Sequence, residues 1–218
     1  HIGDMILSSS LISSIKKTYP DAKISVLIRS LAVPIADMID GIDSVLILHT
    51  PWLSREKNAG WIGVVHFCLQ HFKSFDLVFE VHGEIRNNSI AWMLGKFRVG
   101  TAVRGGGFFL NRTISWDREY TLHICGMQTR MLDAVTGCRN NIAPPQITIP
   151  DTAKTAVARL LQEKSLTSKE YVFIQMSTGG KNREWPIEHW KIFIEKVISG
   201  SKNIICADMD LEKVTAVD

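Results

Sequence analysis

No two of the four cysteines, Cys68, Cys125, Cys138 and Cys206, form a CxxC pair. That absence removes the zinc and redox motifs built on the spacing and favours reduced thiols over a disulfide framework. No apolar run is as long as a membrane span, and no signal-peptide pattern is visible, so a cytoplasmic chain is expected. Charge of one sign is scarce as well: 25 Lys and Arg against 22 Asp and Glu leave a net charge of +3. This is too weak a bias to argue for nucleic acid, and it suits phosphorylated ligands or an anionic membrane surface. The chain lacks an initiating Met and a strand ahead of its first helix, so its N-terminus is read as trimmed.

What is present is a globular composition, with 45% hydrophobic residues over 218 positions, enough for one large domain or one and a half ordinary ones. The opening HIGDMILSSSLISSIKKTYP places Gly3 and Asp4 just before a predicted helix. Leu7, Leu11 and Ile15, with Ile12 beside them, make an apolar face, and Lys16 and Lys17 occupy the last turn, where cations suit the helix dipole. Glycine lets the backbone turn and aspartate aims a carboxylate above the helix N-terminus, as a cap or as a chemical group.

Helices and strands then alternate. Strands are predicted over Lys23–Arg29, Ser44–His49, Phe75–Val81 and Arg98–Thr101, and helices over Val33–Ile39, Ala59–Phe72, Asn88–Leu94 and Tyr120–Thr136, the last ended by Gly137. In the Ala59–Phe72 helix, Ile62, Val65, Leu69 and Phe72 have helical spacing. The polar loop His82–Arg86 leaves the carboxyl end of a strand, where ligands bind in α/β sheets. Arg104–Arg112, with three consecutive glycines and two exposed-looking phenylalanines, reads as a mobile flap over a lipid-like or glycan acceptor. It lacks the following helix that a phosphate loop requires.

The prolines at 144, 145 and 150 break the rhythm and mark a link between two domains. Beyond them come a helix over Thr152–Lys164, a strand over Tyr171–Met176, a loop over Ser177–Glu184, a helix over Pro186–Val197 and a strand over Asn203–Cys206. Two hydroxyls, two glycines and two cations in Ser177–Arg183, running toward a helix N-terminus, are ingredients for holding a diphosphate, although a solvated loop has the same composition. Asp208-Met209-Asp210 has the DxD form of metal-dependent transferases but reads as a solvated turn. His66, Cys68 and His71 cannot share one helix face, so no metal is expected there. The sequons at Asn87 and Asn111 are chance matches in a cytosolic chain.

Three blocks, IGDMILSSSLISSIKKTYPDAKISVLI, FDLVFEVHGEIRNNSIAWMLGKFRVGTAVR and STGGKNREWPIEHWKIFIEKV, resemble in order and spacing the bacterial heptosyltransferases of lipopolysaccharide core biosynthesis, within glycosyltransferase family 9. The resemblance implies an α/β protein of GT-B type, two Rossmann-like domains with parallel sheets facing across a cleft. Residues 1–143 would be the acceptor-binding domain and 144–218 part of the nucleotide-sugar-binding domain. The first strand and the latter part of the second domain would be missing from this chain.

The resemblance makes Asp4 the catalytic base of an inverting transfer. Ser177, Thr178, Lys181 and Arg183 would bind the donor, and Arg86, His82 and Gly3 the acceptor. Family members usually carry lysine where this chain has Arg183, and aspartate and glutamine where it has Glu80 and His82. The implied reaction moves heptose from ADP-heptose to the lipopolysaccharide inner core, with no cofactor, no metal and no nucleic acid. Such an acceptor leaves room for peripheral contact with the inner membrane. The alternatives are a non-catalytic sugar-nucleotide-binding remnant and another GT-B enzyme, such as a nucleotide-sugar epimerase.

Overall fold

The computed structural model describes residues 2–52, 60–115, 123–167, 171–178, 181–200 and 203–208, with Lys181 described by its backbone only. The chain divides into two compact units, His1–Thr148 and Ile149–Asp218. The division falls inside the proline-bearing stretch, where no chain turn continues the helix–strand rhythm.

The first unit opens with helix α1 (Ile2–Thr18) and strand β1 (Ser25–Ile28), followed by a short helix α2 (Val33–Ala36) and β2 (Ser44–Ile47). Strands β1 and β2 pair in parallel, Ser25 against Ser44 through Ile28 against Ile47. Next come α3 (Trp61–Gln70), β3 (Phe75–Glu80), α4 (Ile85–Leu94), β4 (Gly95–Thr101), β5 (Arg112–Ile114) and α5 (Ile124–Thr136). Strands β3, β4 and β5 form a second parallel sheet in that order. Parallel strands joined by helices need cover on their faces. Met5 and Ile12 of α1 supply it for β1 and β2, packing with Ala32, Ala36 and Ile39 onto Val26, Ile28 and Val45. Val64 and Cys68 of α3, with Ile90 and Leu94 of α4, cover Phe75 and Val78 of β3. The second unit holds α6 (Asp151–Glu163), β6 (Tyr171–Ile174), α7 (Ile187–Ser199) and β7 (Asn203–Cys206), with β6 and β7 parallel and Ile194 packed on Ile174 and Met176.

Four expectations need correction. Gly3 and Asp4 lie within the first turn of α1, which already runs from Ile2, rather than before the helix. The buried side of α1 includes Ser9, Ser10 and Ser14, while Leu7 and Ile15 are only half-buried. Small hydroxyl side chains let α5 and the chain after it come close: Gln128 Nε2 of α5 donates to Ser8 Oγ at 3.3 Å, and Ser10 Oγ donates to the carbonyl of Ala143. In α3 the spaced residues Ile62, Val65, Leu69 and Phe72 face solvent, Ile62 with 86% exposure, and the smaller Val64 and Cys68 turn inward. A helix apolar on both sides gives periodicity two solutions, and packing volume picks one.

The glycine-rich Arg104–Arg112 stretch is a packed turn and not a free flap. Gly106, at φ +80°, lies so close to Ile85 that a Cβ would stand 2.8 Å from its Cα. Arg98 Nε donates to the carbonyl of Phe109 at 2.9 Å, and the Phe109 ring is half-buried against Phe108 and Trp92. Phe108 remains exposed.

Candidate active site

The carboxyl end of β3 turns sharply into α4, and three residues make the turn rigid. Glu80, the last residue of β3, is buried, yet its carboxylate accepts the backbone N–H of His82 at 3.0 Å and of Gly83 at 2.6 Å. Burial pushes the Glu80 carboxyl above its ordinary value of 4.5, against the opposing pull of those two N–H groups, the His82 charge and the Asn87 side chain. Gly83 has φ +71°, and a Cβ there would run into the hydroxyl of Thr101 at the end of β4, so only glycine fits. Its carbonyl accepts the N–H of Arg104 at 2.9 Å, and Glu84 forms a parallel bridge with Arg104, tying this turn to the one after β4. Fully buried Asn88 completes the tie, its Nδ2 donating to the carbonyls of Thr101 at 3.1 Å and Gly105 at 3.2 Å.

The turn presents His82 to the first turn of α1. His82 Nε2 stands 3.7 Å from Asp4 Oδ2, and on the ring's other side Nδ1 stands 3.8 Å from Glu80 Oε1. Both distances lie just beyond hydrogen-bond length. The Asp4 and His82 side chains are each 45% exposed, so solvent and a ligand can reach them. A carboxylate in the first turn of a helix is also favoured by the dipole. Around Gly3 an added Cβ would meet nothing within 4 Å, leaving open space beside Asp4.

Arg86, in the first turn of α4, is held from two sides. Its Nη2 donates to Glu84 Oε1, and its guanidinium lies 5.2 Å from the ring centre of Trp52. Trp52 in turn donates from Nε1 to Asn87 Oδ1 at 3.3 Å and stacks on Trp61 at 5.0 Å. An aromatic residue shortly after a strand end is the signal by which Trp52 could be found in the chain. The Asn87 and Asn111 amides are both structural, Asn111 Oδ1 accepting the N–H of Arg98 at 3.0 Å.

In the second unit, Ser177 and Thr178 follow β6, as expected, and Arg183 ends a short 3-10 turn with an exposed side chain. Gly179, Gly180 and the Lys181 side chain lie outside the described residues. Trp185 of the Trp-Pro pair anchors the loop's exit, packing edge-on against Trp190 of α7 at 4.9 Å. Asp208 is no solvated turn residue: its Oδ2 accepts the N–H of Met176 at 3.1 Å and of Ser177 at 2.6 Å. The DxD form in the sequence pointed to Asp208 but not to this role, and Met209 and Asp210 lie outside the described residues. Among the described residues no group of three metal-ligating side chains converges, and no helix is long and apolar enough to cross a membrane.

The whole chain superposes on a family 9 glycosyl transferase from Veillonella parvula, with a TM-score of 0.78 at 18% identity. The fold is that of the family 9 glycosyltransferases. The match covers 100% of this chain and 63% of that one, so the chain spans under two thirds of its neighbour's length. The E. coli heptosyltransferase WaaC, in complex with ADP-2-deoxy-2-fluoro heptose, matches over 99% of this chain and 69% of its own, with a TM-score of 0.69 and 14% identity. E. coli ADP-heptose lps heptosyltransferase II matches over 94% and 61%, with a TM-score of 0.62 and 16% identity. The α/β architecture with parallel sheets in both units is therefore GT-B in type. No family model and no curated protein matches the chain by sequence.

Proposed function

We propose that the chain belongs to an inverting glycosyltransferase that moves heptose from ADP-heptose to the lipopolysaccharide inner core at the cytoplasmic face of the inner membrane. The observation that carries this reading is the half-exposed Asp4 carboxylate beside the carboxyl end of β3, within a fold shared with heptosyltransferases. In the proposed step the acceptor hydroxyl oxygen attacks the anomeric carbon and passes its proton to Asp4. The bond from that carbon to the diphosphate breaks with its electron pair, and the configuration inverts. Arg86, Gly3 and His82 would line the acceptor side of the first unit. Ser177 and Thr178 would contact the donor phosphates in the second, with Lys181 and Arg183 offsetting charge on the leaving diphosphate. With cations in that role the transfer needs no metal, and it persists when EDTA is added.

The test is transfer of labelled heptose from ADP-heptose to heptose-deficient lipopolysaccharide by the whole gene product, beside Asp4→Asn. General-base assistance is worth about a hundred to ten thousand fold, so transfer collapses by that factor while donor binding persists. Transfer unchanged in Asp4→Asn overturns the assignment of the base.

A further inference from the structure

The His82 ring lies between two carboxylates from different elements, Asp4 on α1 and Glu80 on β3. The backbone N–H of His82 is tied to Glu80, and the next residue is a glycine whose conformation and surroundings admit nothing else. The following residue is bridged to Arg104. The backbone of the β3–α4 turn therefore holds the His82 side chain beside Asp4. The other charged groups on the turn, Glu84 and Arg86, pair with each other, and Arg104 follows on the turn bridged to Glu84.

We infer that His82 is a positioning and proton-relay residue that acts through Asp4, an assignment that rests on the transferase reading. After each transfer Asp4 carries the proton taken from the acceptor hydroxyl, and the next turnover needs it back as a carboxylate. The neutral imidazole accepts that proton at Nε2, forming an imidazolium flanked by the restored Asp4 carboxylate and by Glu80. With the His82 side chain 45% exposed, Nε2 then gives the same proton to water, and Nδ1 keeps its own toward Glu80. One proton passes from the acceptor through Asp4 and Nε2 to solvent, with no other reactant consumed. A glutamine at this position could orient Asp4 but could not carry a proton, and this difference makes the role testable.

Three variants are compared with the wild-type gene product in the heptose-transfer assay. In His82→Gln, kcat falls about tenfold to a hundredfold, a larger change than that in KM for the acceptor, whose side of the unit His82 also lines. In His82→Ala the loss is similar, and imidazole added to the buffer restores kcat, whereas it does nothing for His82→Gln, which leaves no space for it. Glu80→Gln lowers kcat less than either. A raised acceptor KM with unchanged kcat, or a His82→Ala enzyme that imidazole does not rescue, overturns the relay and leaves His82 as an acceptor contact. A second measurement does not depend on activity. The His82 ring nitrogen resonances in labelled protein move when Asp4 is replaced by Asn and again when Glu80 is replaced by Gln. Resonances that stay in place overturn the proposal even if the protein transfers no sugar, and that latter result alone would overturn the transferase reading.

Discussion

Glu80 is the residue on which the first unit's site turns, because it is buried, charged when ionised, and yet committed to two backbone donors. Its carboxyl stands above the ordinary value of 4.5 because burial outweighs those donors. A folded-state value above the unfolded one contributes stability that is complete below the unfolded value and is lost as pH rises through the folded one. Glu80→Gln, neutral at every pH, escapes that loss while keeping one of the two backbone acceptors. The difference in melting temperature, variant minus wild type, therefore grows more positive between pH 4 and pH 7. Thermal melts across that range check it, and a flat difference means an ordinary carboxyl. Arg86 shows the same economy of local partners: Glu84, Trp52 and Asn87 all serve to hold one guanidinium.

Among elements, the β3–α4 turn is the one whose geometry the site depends on. Substituting Gly83 by Ala forces a side chain into the left-handed region and against Thr101, a residue with no exposed surface. We expect Gly83→Ala to cost about 2 to 4 kcal/mol from the two sources together, read as a shifted denaturant midpoint with unchanged slope. Helix α3 illustrates the opposite case, an element whose position tolerates ambiguity. Both its faces are apolar, and among the described residues nothing covers Ile62, Val65 and Leu69.

At the scale of the whole molecule, the two units have separate cores and separate loops with chemical potential. In the second unit Asp208 staples the end of β6 to the chain after β7, beside the backbone bond from Ala207 to Ile174. Hydrogen bonds to a charged acceptor are worth about 1.5 to 3 kcal/mol each. Asp208→Asn thus speeds amide exchange at Met176 and Ser177 by about tenfold to a hundredfold, measured by hydrogen-exchange mass spectrometry. Peptides of the first unit keep their protection.

The order of helices and strands, the parallel α/β class and the break near 140–150 were all legible in the chain, because alternating apolar periodicity and proline act locally. So was the resemblance that marked Asp4, Arg86 and the Ser177–Arg183 loop. Which face of α3 turns inward was not legible, since the contest between Val64 with Cys68 and Ile62 with Leu69 is decided by the space against β3 and α4. Nor were the buried serines of α1, since Ser9 and Ser10 meet Gln146 and Ala143, more than a hundred residues later. Above all, sequence separates Asp4 from His82 by the rest of α1, two further helices and three strands, and only the packing of α1 beside the end of β3 brings the carboxylate to the imidazole. Local preferences fixed the elements; long-range burial, which no window of sequence contains, made of them a site.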